Sequence, residues 1–213
     1  MATEPAPTQD SRMQLQPHTL AQPESSEKNG SSLVREHLFA ARTVLVFGEV
    51  TSALAEAVSS QLLALAERSH DPIRVIVHSP GGHVEAGDTI HDVIRFIGPR
   101  VRVLGTGWVA SAGALIYSAA RRESRFTLPN TRFLLHQPLG GVGGPASDID
   151  IEVRQILGMR ERLNRIFAQA TGQTLERITR DTERNHWMNA EEALAYGLVG
   201  KIIESADEFE AVP

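Results

Sequence analysis

The spacing of apolar positions divides the chain into alternating strands and helices. Short β-branched runs predict strands, and the segments between them repeat apolar residues every three or four positions, as amphipathic helices do. The predicted strands are 43–47, 73–78, 101–104, 125–128, 132–135 and 198–203. The predicted helices are 33–41, 51–68, 84–97, a helix from about 111, 147–170, 174–181 and 190–196. This alternation with short connections predicts an α/β domain with a largely parallel sheet.

The two ends of the chain differ from this pattern. Residues 1–32 are rich in Pro, Ser, Thr, Gln and Glu and contain few apolar side chains. Such a segment cannot bury enough surface to offset the entropy of ordering, so we predict a disordered arm or propeptide there. The predicted domain therefore spans 33–203, and residues 204–213 form an acidic C-terminal tail.

The segment 147–170 is the longest predicted helix. At about 1.5 Å per residue it would span roughly 35 Å, which is long for a small domain. Ser147 is the predicted N-cap, with acidic residues in the first turns where the helix dipole favours them. Two interpretations stay open: a projecting helix that builds subunit contacts, and an ordinary core helix.

Composition and charge narrow the class of protein. Of the 213 residues, 41% are apolar and 22% charged, as in an ordinary globular protein, and without cysteine there is neither a disulfide nor a thiolate metal site. The net charge of −5 comes from the two ends, which leaves the body near neutral and argues against nucleic acid or anionic membranes as partners. No apolar run spans a bilayer and no secretory signal is recognisable, so we predict a cytoplasmic protein.

A single hydroxyl stands where a strand gives way to a helix. The strand 101–104 meets Gly105 and Gly107, where we expect it to break, and Ser111 begins the following helix. The first N–H groups of a helix lack intrahelical acceptors, so a serine there is exposed beside anion donors, as in a nucleophile elbow. The alternative is that Ser111 is an ordinary N-cap.

Two further features supply chemistry that Ser111 would need. Gly81 and Gly82 follow Pro80 and let backbone N–H groups approach a ligand closely. His136 ends an apolar strand and precedes a proline. Each is weak evidence alone, but together they provide a nucleophile, a base and two sources of oxyanion donors. The other histidines show no metal-ligand spacing, so no metal is predicted.

Six stretches in collinear order resemble one known family, that of the Clp protease proteolytic subunit, ClpP. The resemblance extends from about residue 33 to 203 and includes the glycine turn, the serine turn and the histidine. The stretches are SPGG (79–82), GWVASAG (107–113), LPN (128–130), LHQPLGG (135–141), DTER (181–184) and ALAYGLV (193–199).

The resemblance implies a fold, an assembly and a set of roles. The fold would be a ClpP/crotonase-like α/β superhelix of strand-turn-helix units, with 147–170 as a protruding handle helix between two stacked seven-membered rings. Ser111 would be the nucleophile and His136 its general base, and the N–H groups of Gly82 and Ala112 would form the oxyanion hole. The substrates would be unfolded polypeptides, fed in by a hexameric AAA+ unfoldase of the Clp type. No cofactor or metal is implied, since ATP is used only by that unfoldase.

The chain departs from the family at the third catalytic position. Asn185 stands where the family usually has aspartate, so we predict a working but weaker triad of Ser111, His136 and Asn185. An asparagine oxygen can hold the histidine tautomer but cannot stabilise the imidazolium with a full charge. Asp181, about one helical turn earlier, is a less favoured substitute.

Two more departures concern contacts between proteins. Pro145 lies in the strand that should pair across the rings, and it lacks the N–H that such pairing uses, so we expect an altered or switchable ring contact. Arg74 and Ile76 stand where the family's unfoldase-docking pocket usually has aromatic side chains. The apolar residues left to form that pocket are Phe96, Leu104, Phe126 and Leu128.

The primary interpretation is a serine endopeptidase. The alternative is a weakly active or inactive structural or regulatory subunit, in which asparagine marks decayed catalysis and a paralogue in a mixed ring supplies the chemistry. A third possibility is an acyl-CoA-binding crotonase relative, which shares glycine N–H donors. The pairing of Ser111 with His136 argues against that last candidate.

Overall fold

A computed structural model describes residues 24–210 of the chain, with side chains from Ser32 onwards. The chain divides into a unit of residues 1–35 and a larger unit of residues 36–213, which we describe separately. The predicted disordered arm lies outside the described residues as far as residue 23.

The first helix begins earlier than the sequence pattern predicted. The pattern predicted a helix over 33–41, and helix α1 covers Glu24–Ala40. The segment 24–32 contains no proline, so its sequence allows the backbone hydrogen bonds of a helix.

The remaining elements alternate much as predicted. The strands are β1 (Thr43–Phe47), β2 (Ile73–Ser79), β3 (Val101–Ala110), β4 (Arg125–Thr127), β5 (Arg132–Leu135), β6 (His186–Met188) and β7 (Lys201–Ile202). The helices are α2 (Ser52–Arg68), α3 (Val84–Phe96), α4 (Ala112–Ser118), α5 (Ala146–Thr171), α6 (Leu175–Asp181), α7 (Ala190–Tyr196) and α8 (Ala206–Glu210). The sheet has the order β1-β2-β3-β4-β7, and all of these pairs are parallel. The predicted α/β class with a largely parallel sheet is confirmed.

Strand β3 is the longest strand of the described residues, and different parts of it pair with two different strands on the same side. Its first half pairs with β4, and its second half pairs in parallel with β5. The expected break at Gly105 is therefore wrong. The reason lies at Gly107, which has a φ of +58° and on which a Cβ would stand 2.7 Å from His78 Nδ1. The glycine lets the strand bend around that histidine and continue, and the β2–β3 register shifts there.

Strand β6 was not predicted. It is three residues long and pairs antiparallel with β5, with His186 opposite Leu135. Three residues are too short for an alternating pattern to be recognised. Its position decides where the loop before it lies, and that loop carries Asn185.

The main core lies between the sheet and helices α2, α3 and α4, and its buried side chains form one continuous cluster. Helix α5 joins this core only with its C-terminal half, where its four buried residues lie. Its N-terminal half leaves Ile151 and Leu157 each 55% exposed. The geometry within one chain thus favours the projecting interpretation over a core helix.

Helix α5 does not begin as predicted. Residues 136–145 form no strand, and Pro145 rather than Ser147 occupies the N-cap position. The Pro145 carbonyl accepts hydrogen bonds from the N–H groups of Asp148 and Ile149, both at 3.0 Å. Proline suits this place because its fixed φ leads into a helix and the first helical turn needs no N–H from it.

The C-terminal segment predicted as an acidic tail contains helix α8. Its Phe209 is only 6% exposed and packs edge-on against Phe126, with ring centroids 5.1 Å apart. None of the helices in the described part of the chain combines the length and the apolarity needed to cross a membrane.

Candidate active site

Ser111 stands at a strained turn between β3 and α4. Its φ of +55° and ψ of −121° are unusual for a residue with a Cβ. Its N–H donates to the Leu134 carbonyl at 2.9 Å, which ties the turn to β5. The side chain makes no capping bond to α4, so it does not act as the ordinary N-cap that the sequence left open. The strained turn leaves Oγ available for another partner.

That partner is His136. Because β5 runs parallel to β3 and pairs with its last residues, the two strands end side by side, with Ser111 following one and His136 following the other. His136 Nε2 lies 2.8 Å from Ser111 Oγ. The structure therefore brings together two residues that stand 25 positions apart in the chain.

Asn185 reaches the other side of the same imidazole. It directly precedes β6, whose antiparallel pairing with β5 sets His186 opposite Leu135 and so brings Asn185 beside His136. Burial lowers the pKa of His136 below its usual value, and the Asn185 side chain opposes that shift, as expected for an amide oxygen close to the ring N–H. Since Nε2 faces Ser111, the nitrogen left for Asn185 is Nδ1.

Asp181 is engaged elsewhere. The Tyr196 hydroxyl donates to its Oδ2 at 2.9 Å, and Arg177 Nε lies 3.4 Å from the same oxygen. Partial burial would raise the pKa of Asp181, but the Tyr196 hydrogen bond and nearby basic groups outweigh it and lower the pKa below its usual value. With its carboxylate occupied in this way, Asp181 is a poor candidate to orient His136.

A clamp that sequence reasoning missed fixes the loop before β6. The Gln137 N–H donates to the Thr182 carbonyl and its side-chain amide donates to the Glu183 carbonyl, each at 2.7 Å. The buried Thr182 hydroxyl in turn donates to Asn164 Oδ1 on α5 at 3.0 Å. Because Gln137 directly follows His136, these bonds tie the loop that carries Asn185 to the segment that carries His136. The sequence feature that could have indicated this clamp is a polar residue, Gln137, placed between a histidine and a proline.

The glycine turn lies directly against the serine. A Cβ on Gly81, which has a φ of +101°, would stand 2.6 Å from Ser111 Cβ, and one on Gly82 would stand 2.3 Å from the Val50 carbonyl oxygen. Hydrogen bonds from the N–H groups of Gly81 and His83 hold this turn and do not use the N–H of the exposed Gly82. Ala112 is the first residue of α4, so its N–H has no intrahelical acceptor. Both predicted oxyanion donors thus belong to segments that flank Ser111.

A small cavity lined mainly by apolar side chains lies beside Ser111. It is bounded by Ser111, His136 and side chains from α3, α4, α5 and the segment after β5. The lining residues are Val84, Ser111, Ala112, Leu115, His136, Pro138, Leu163 and Phe167.

One histidine and two tryptophans lie around this site without joining it. His83 is exposed at the start of α3 and forms no side-chain cap. Trp108 packs on Trp187 with centroids 5.9 Å apart, and the Arg132 guanidinium lies 4.5 Å from the Trp187 ring. In the described part of the chain, no group of three or more acidic or histidine side chains could hold a metal ion.

Comparison with known proteins agrees with this architecture. The model of the Clp protease family matches residues 26–206. The "ATP-dependent Clp protease proteolytic subunit 2" of Gluconobacter oxydans is 58% identical over 197 residues, covering 89% of this chain and 88% of its own. The subunit of the same name from Pseudomonas aeruginosa is 60% identical over 173 residues, covering 81% and 86%. The solved structure of ClpP1 from Listeria monocytogenes is 53% identical, with a TM-score of 0.75, covering 83% of this chain and 99% of that one.

Proposed function

The chain belongs to the Clp protease family, and from that premise we propose that it is a serine endopeptidase that cuts unfolded polypeptides through a covalent acyl-enzyme. The family, the fold and the protease class that the sequence predicted are confirmed. The serine mechanism rests on one observation above all. The hydroxyl of Ser111, held at a strained turn, lies 2.8 Å from the imidazole of His136.

In the first half of the proposed reaction, Ser111 Oγ attacks the carbonyl carbon of the scissile bond. His136 Nε2 takes the hydroxyl proton as the new C–O bond forms, because it already faces that oxygen. The carbonyl oxygen becomes an oxyanion. The N–H groups of Gly82 and Ala112 are the donors we assign to it, and they require no rearrangement as the charge develops.

In the second half, the protonated His136 gives its proton to the departing amine, and the C–N bond breaks. The acyl group remains on Ser111 as an ester. A water molecule then attacks this ester, His136 accepts the water proton, and the second tetrahedral intermediate collapses to release the carboxylate and restore the Ser111 hydroxyl. The atoms and protons balance without a metal or an organic cofactor.

Two features keep His136 ready for this role. Its pKa, lowered by burial, leaves the ring neutral near pH 7 and therefore able to accept a proton. Asn185 accepts from Nδ1–H, which holds the tautomer in which Nε2 carries the free electron pair. An amide supplies no negative charge, so we propose that this triad is slower than one with a carboxylate.

The names of the relatives describe an ATP-dependent protease, which implies a partner ATPase and a subunit that works in an oligomer. We propose that two heptameric rings stack to enclose the active sites and that an AAA+ unfoldase threads polypeptides into this chamber. The exposed apolar residues on the N-terminal half of α5 support a role for that helix in the assembly. The structure of one chain leaves them without a partner among the described residues.

The deciding experiment treats the pure protein with a fluorophosphonate probe and assays a short fluorogenic peptide after gel filtration. We expect the probe to label the native chain, the Ser111→Ala variant to lose both label and activity, and activity to elute with a species of many subunits. A native chain that assembles but takes no label would favour the structural or regulatory alternative, which the replacement of a carboxylate by Asn185 suggests.

A further inference from the structure

The two tryptophans of the chain lie against each other beside the catalytic loops. Trp108 lies near the end of β3, three residues before Ser111. Trp187 is the middle residue of β6 and follows Asn185 by two positions. The centroids of the two rings are 5.9 Å apart although β5 runs between the two strands, so the side chains reach across a whole strand to meet. Aromatic rings at this separation attract one another.

Arg132 on β5 completes this group of three side chains, which we call the tryptophan bridge. It is the register partner of Trp108, and its guanidinium carbon lies 4.5 Å from the centroid of the Trp187 ring. A cation this close to an indole ring is attracted by the electrons of the ring. The bridge lies at the surface, since Arg132 is exposed and Trp108 is 43% exposed. Substitutions in it therefore leave the packing of the core intact.

The tryptophan bridge joins a firmly held strand to a weakly held one. Trp108 belongs to β3, which pairs with β2, β4 and β5, and its N–H donates to His78 Nδ1 at 3.2 Å. Strand β6 has three residues and, in the part of the chain that the structure describes, pairs with β5 alone. A short edge strand has few backbone hydrogen bonds to fix it, so the contacts of its side chains contribute much of its stability.

The position of β6 decides where Asn185 lies. The β5–β6 ladder ends with the pair of Leu135 and His186. His136 and Asn185 are the next residues beyond that pair. A slip of β6 by one residue would move Asn185 by about 3.3 Å along the strand and turn Trp187 to the opposite face of the sheet. The tryptophan bridge therefore forms only in the register that sets Asn185 beside His136.

A second anchor holds the other end of the same loop. Gln137 donates hydrogen bonds to the carbonyl oxygens of Thr182 and Glu183, both at 2.7 Å. Asn185 thus lies between this clamp and Trp187. The clamp fixes the loop where it leaves α6, and the tryptophan bridge fixes it where it enters β6. With both ends fixed, the amide of Asn185 can stay at the imidazole although Asn185 itself is exposed.

We propose that Trp187, held in place by the tryptophan bridge, is a positioning residue that keeps Asn185 aligned with His136. This role rests on the proposed function, because it concerns the same triad. Its effect on the rate passes through Asn185. Loss of the bridge should therefore lower kcat, which depends on the orientation of His136, and leave KM nearly unchanged.

The test measures kcat and KM for a fluorogenic peptide in the full-length variants Trp108→Leu and Arg132→Leu. Both change exposed side chains of the bridge and leave β6 and its loop as they are. We expect kcat to fall about tenfold in Trp108→Leu and about threefold in Arg132→Leu, because displaced catalytic groups slow the chemical step. Trp187→Phe keeps an aromatic ring in the bridge and should retain most of the native kcat.

Two readouts separate positioning from general damage. The acid limb of the kcat/KM profile should move to lower pH in Trp108→Leu, since the Asn185 side chain raises the pKa of His136 against the effect of burial. In a chain that already carries Asn185→Ala, adding Trp108→Leu should slow the reaction by less than about twofold, because the residue through which the bridge acts is absent.

The matched control is Arg68→Leu, which removes a contact of the same kind outside the site. The Arg68 guanidinium carbon lies 5.3 Å from the centroid of the Phe39 ring. This variant should keep the native kcat and the native acid limb. Thermal unfolding and gel filtration establish that each variant is folded, and if Trp108→Leu does not fold, Arg132→Leu decides by the same criteria.

The positioning role is overturned if the folded bridge variants keep the native kcat and acid limb. It is also overturned if Trp108→Leu slows the Asn185→Ala chain as much as it slows the native chain, because its effect would then bypass Asn185. A native chain without Ser111-dependent activity would overturn the proposed function and this role with it. A native chain that is active but indifferent to the tryptophan bridge would overturn this role alone.

Discussion

Replacing Asn185 with aspartate places a negative charge beside an imidazole that now faces a neutral amide. In the proposed acylation His136 takes the Ser111 proton across 2.8 Å and becomes a cation, so a charge on the far side of the ring would stabilise the transition state more than the ground state. Two unit charges about 4 Å apart interact by roughly 4 kcal/mol at an effective dielectric constant near 20. That corresponds to about 10³ in rate. The opposite change in a Ser–His–Asp protease costs about 10⁴, which sets an upper limit.

We therefore expect Asn185→Asp to raise kcat for a fluorogenic peptide by about 10- to 10³-fold at pH 8. The same charge raises the pKa of His136, since an opposite charge nearby favours the protonated ring. Activity requires the neutral ring. In the native chain we expect the acid limb of the kcat/KM profile below the ordinary histidine value of 6.5, because burial lowers the pKa of His136. In the Asn185→Asp variant this acid limb moves to higher pH. The rate advantage of the variant over the native chain therefore shrinks as pH falls.

The assay is a kcat/KM profile from pH 5 to 9 for the native chain, Asn185→Asp and the control Asn185→Ala. The alanine variant loses the bond that orients the ring and should be slower than the native chain at every pH. If Asn185→Asp changed neither kcat nor the position of the acid limb, Asn185 would not act on His136 as we describe. An alanine variant as fast as the native chain would refute the orienting role as well.

Three other substitutions probe the parts that hold the site together. Gly81→Ala should reduce fluorophosphonate labelling of Ser111 at least 100-fold, because its Cβ would stand 2.6 Å from Ser111 Cβ at a φ that only glycine adopts easily. Gln137→Leu should lower kcat about tenfold with little change in KM, since the loop that carries the orienting residue loses a 2.7 Å hydrogen bond while Ser111 and His136 themselves are unchanged. Thr182→Val should lower the free energy of unfolding in urea by about 1–3 kcal/mol, because the buried Asn164 Oδ1 loses the hydroxyl that donates to it.

Matched controls separate these effects from general damage. Gly141→Ala adds a Cβ where nothing lies within 4 Å and should label normally. Thr89→Val removes an exposed hydroxyl that bonds only its own helix, and should change the free energy of unfolding by less than about 0.5 kcal/mol. If a control matched its test variant, the corresponding contact would not carry the role assigned to it.

Much of the fold follows from local patterns. Helix α7 has the predicted bounds, and strands β1 and β5 do too, because the burial of one face imposes a periodicity that is visible within a few residues. The placement of Ser111 between a strand and a helix follows in the same way. In the longest strand, a distant contact decided the outcome. Strand β3 passes Gly105 because the chain bends around His78, and no local pattern records that neighbour.

The sequence by itself determined which kinds of residue are available for catalysis, the order of the elements that carry them, and the family. Only the tertiary structure decided which residues meet. The parallel pairing of β5 with β3 joins His136 to Ser111, and the antiparallel pairing of β6 brings Asn185 while Asp181 is bound to Tyr196. Periodicity is a local property that each segment carries alone, whereas strand pairing depends on packing between segments far apart in the chain. The sequence therefore encodes these contacts only through the fold as a whole.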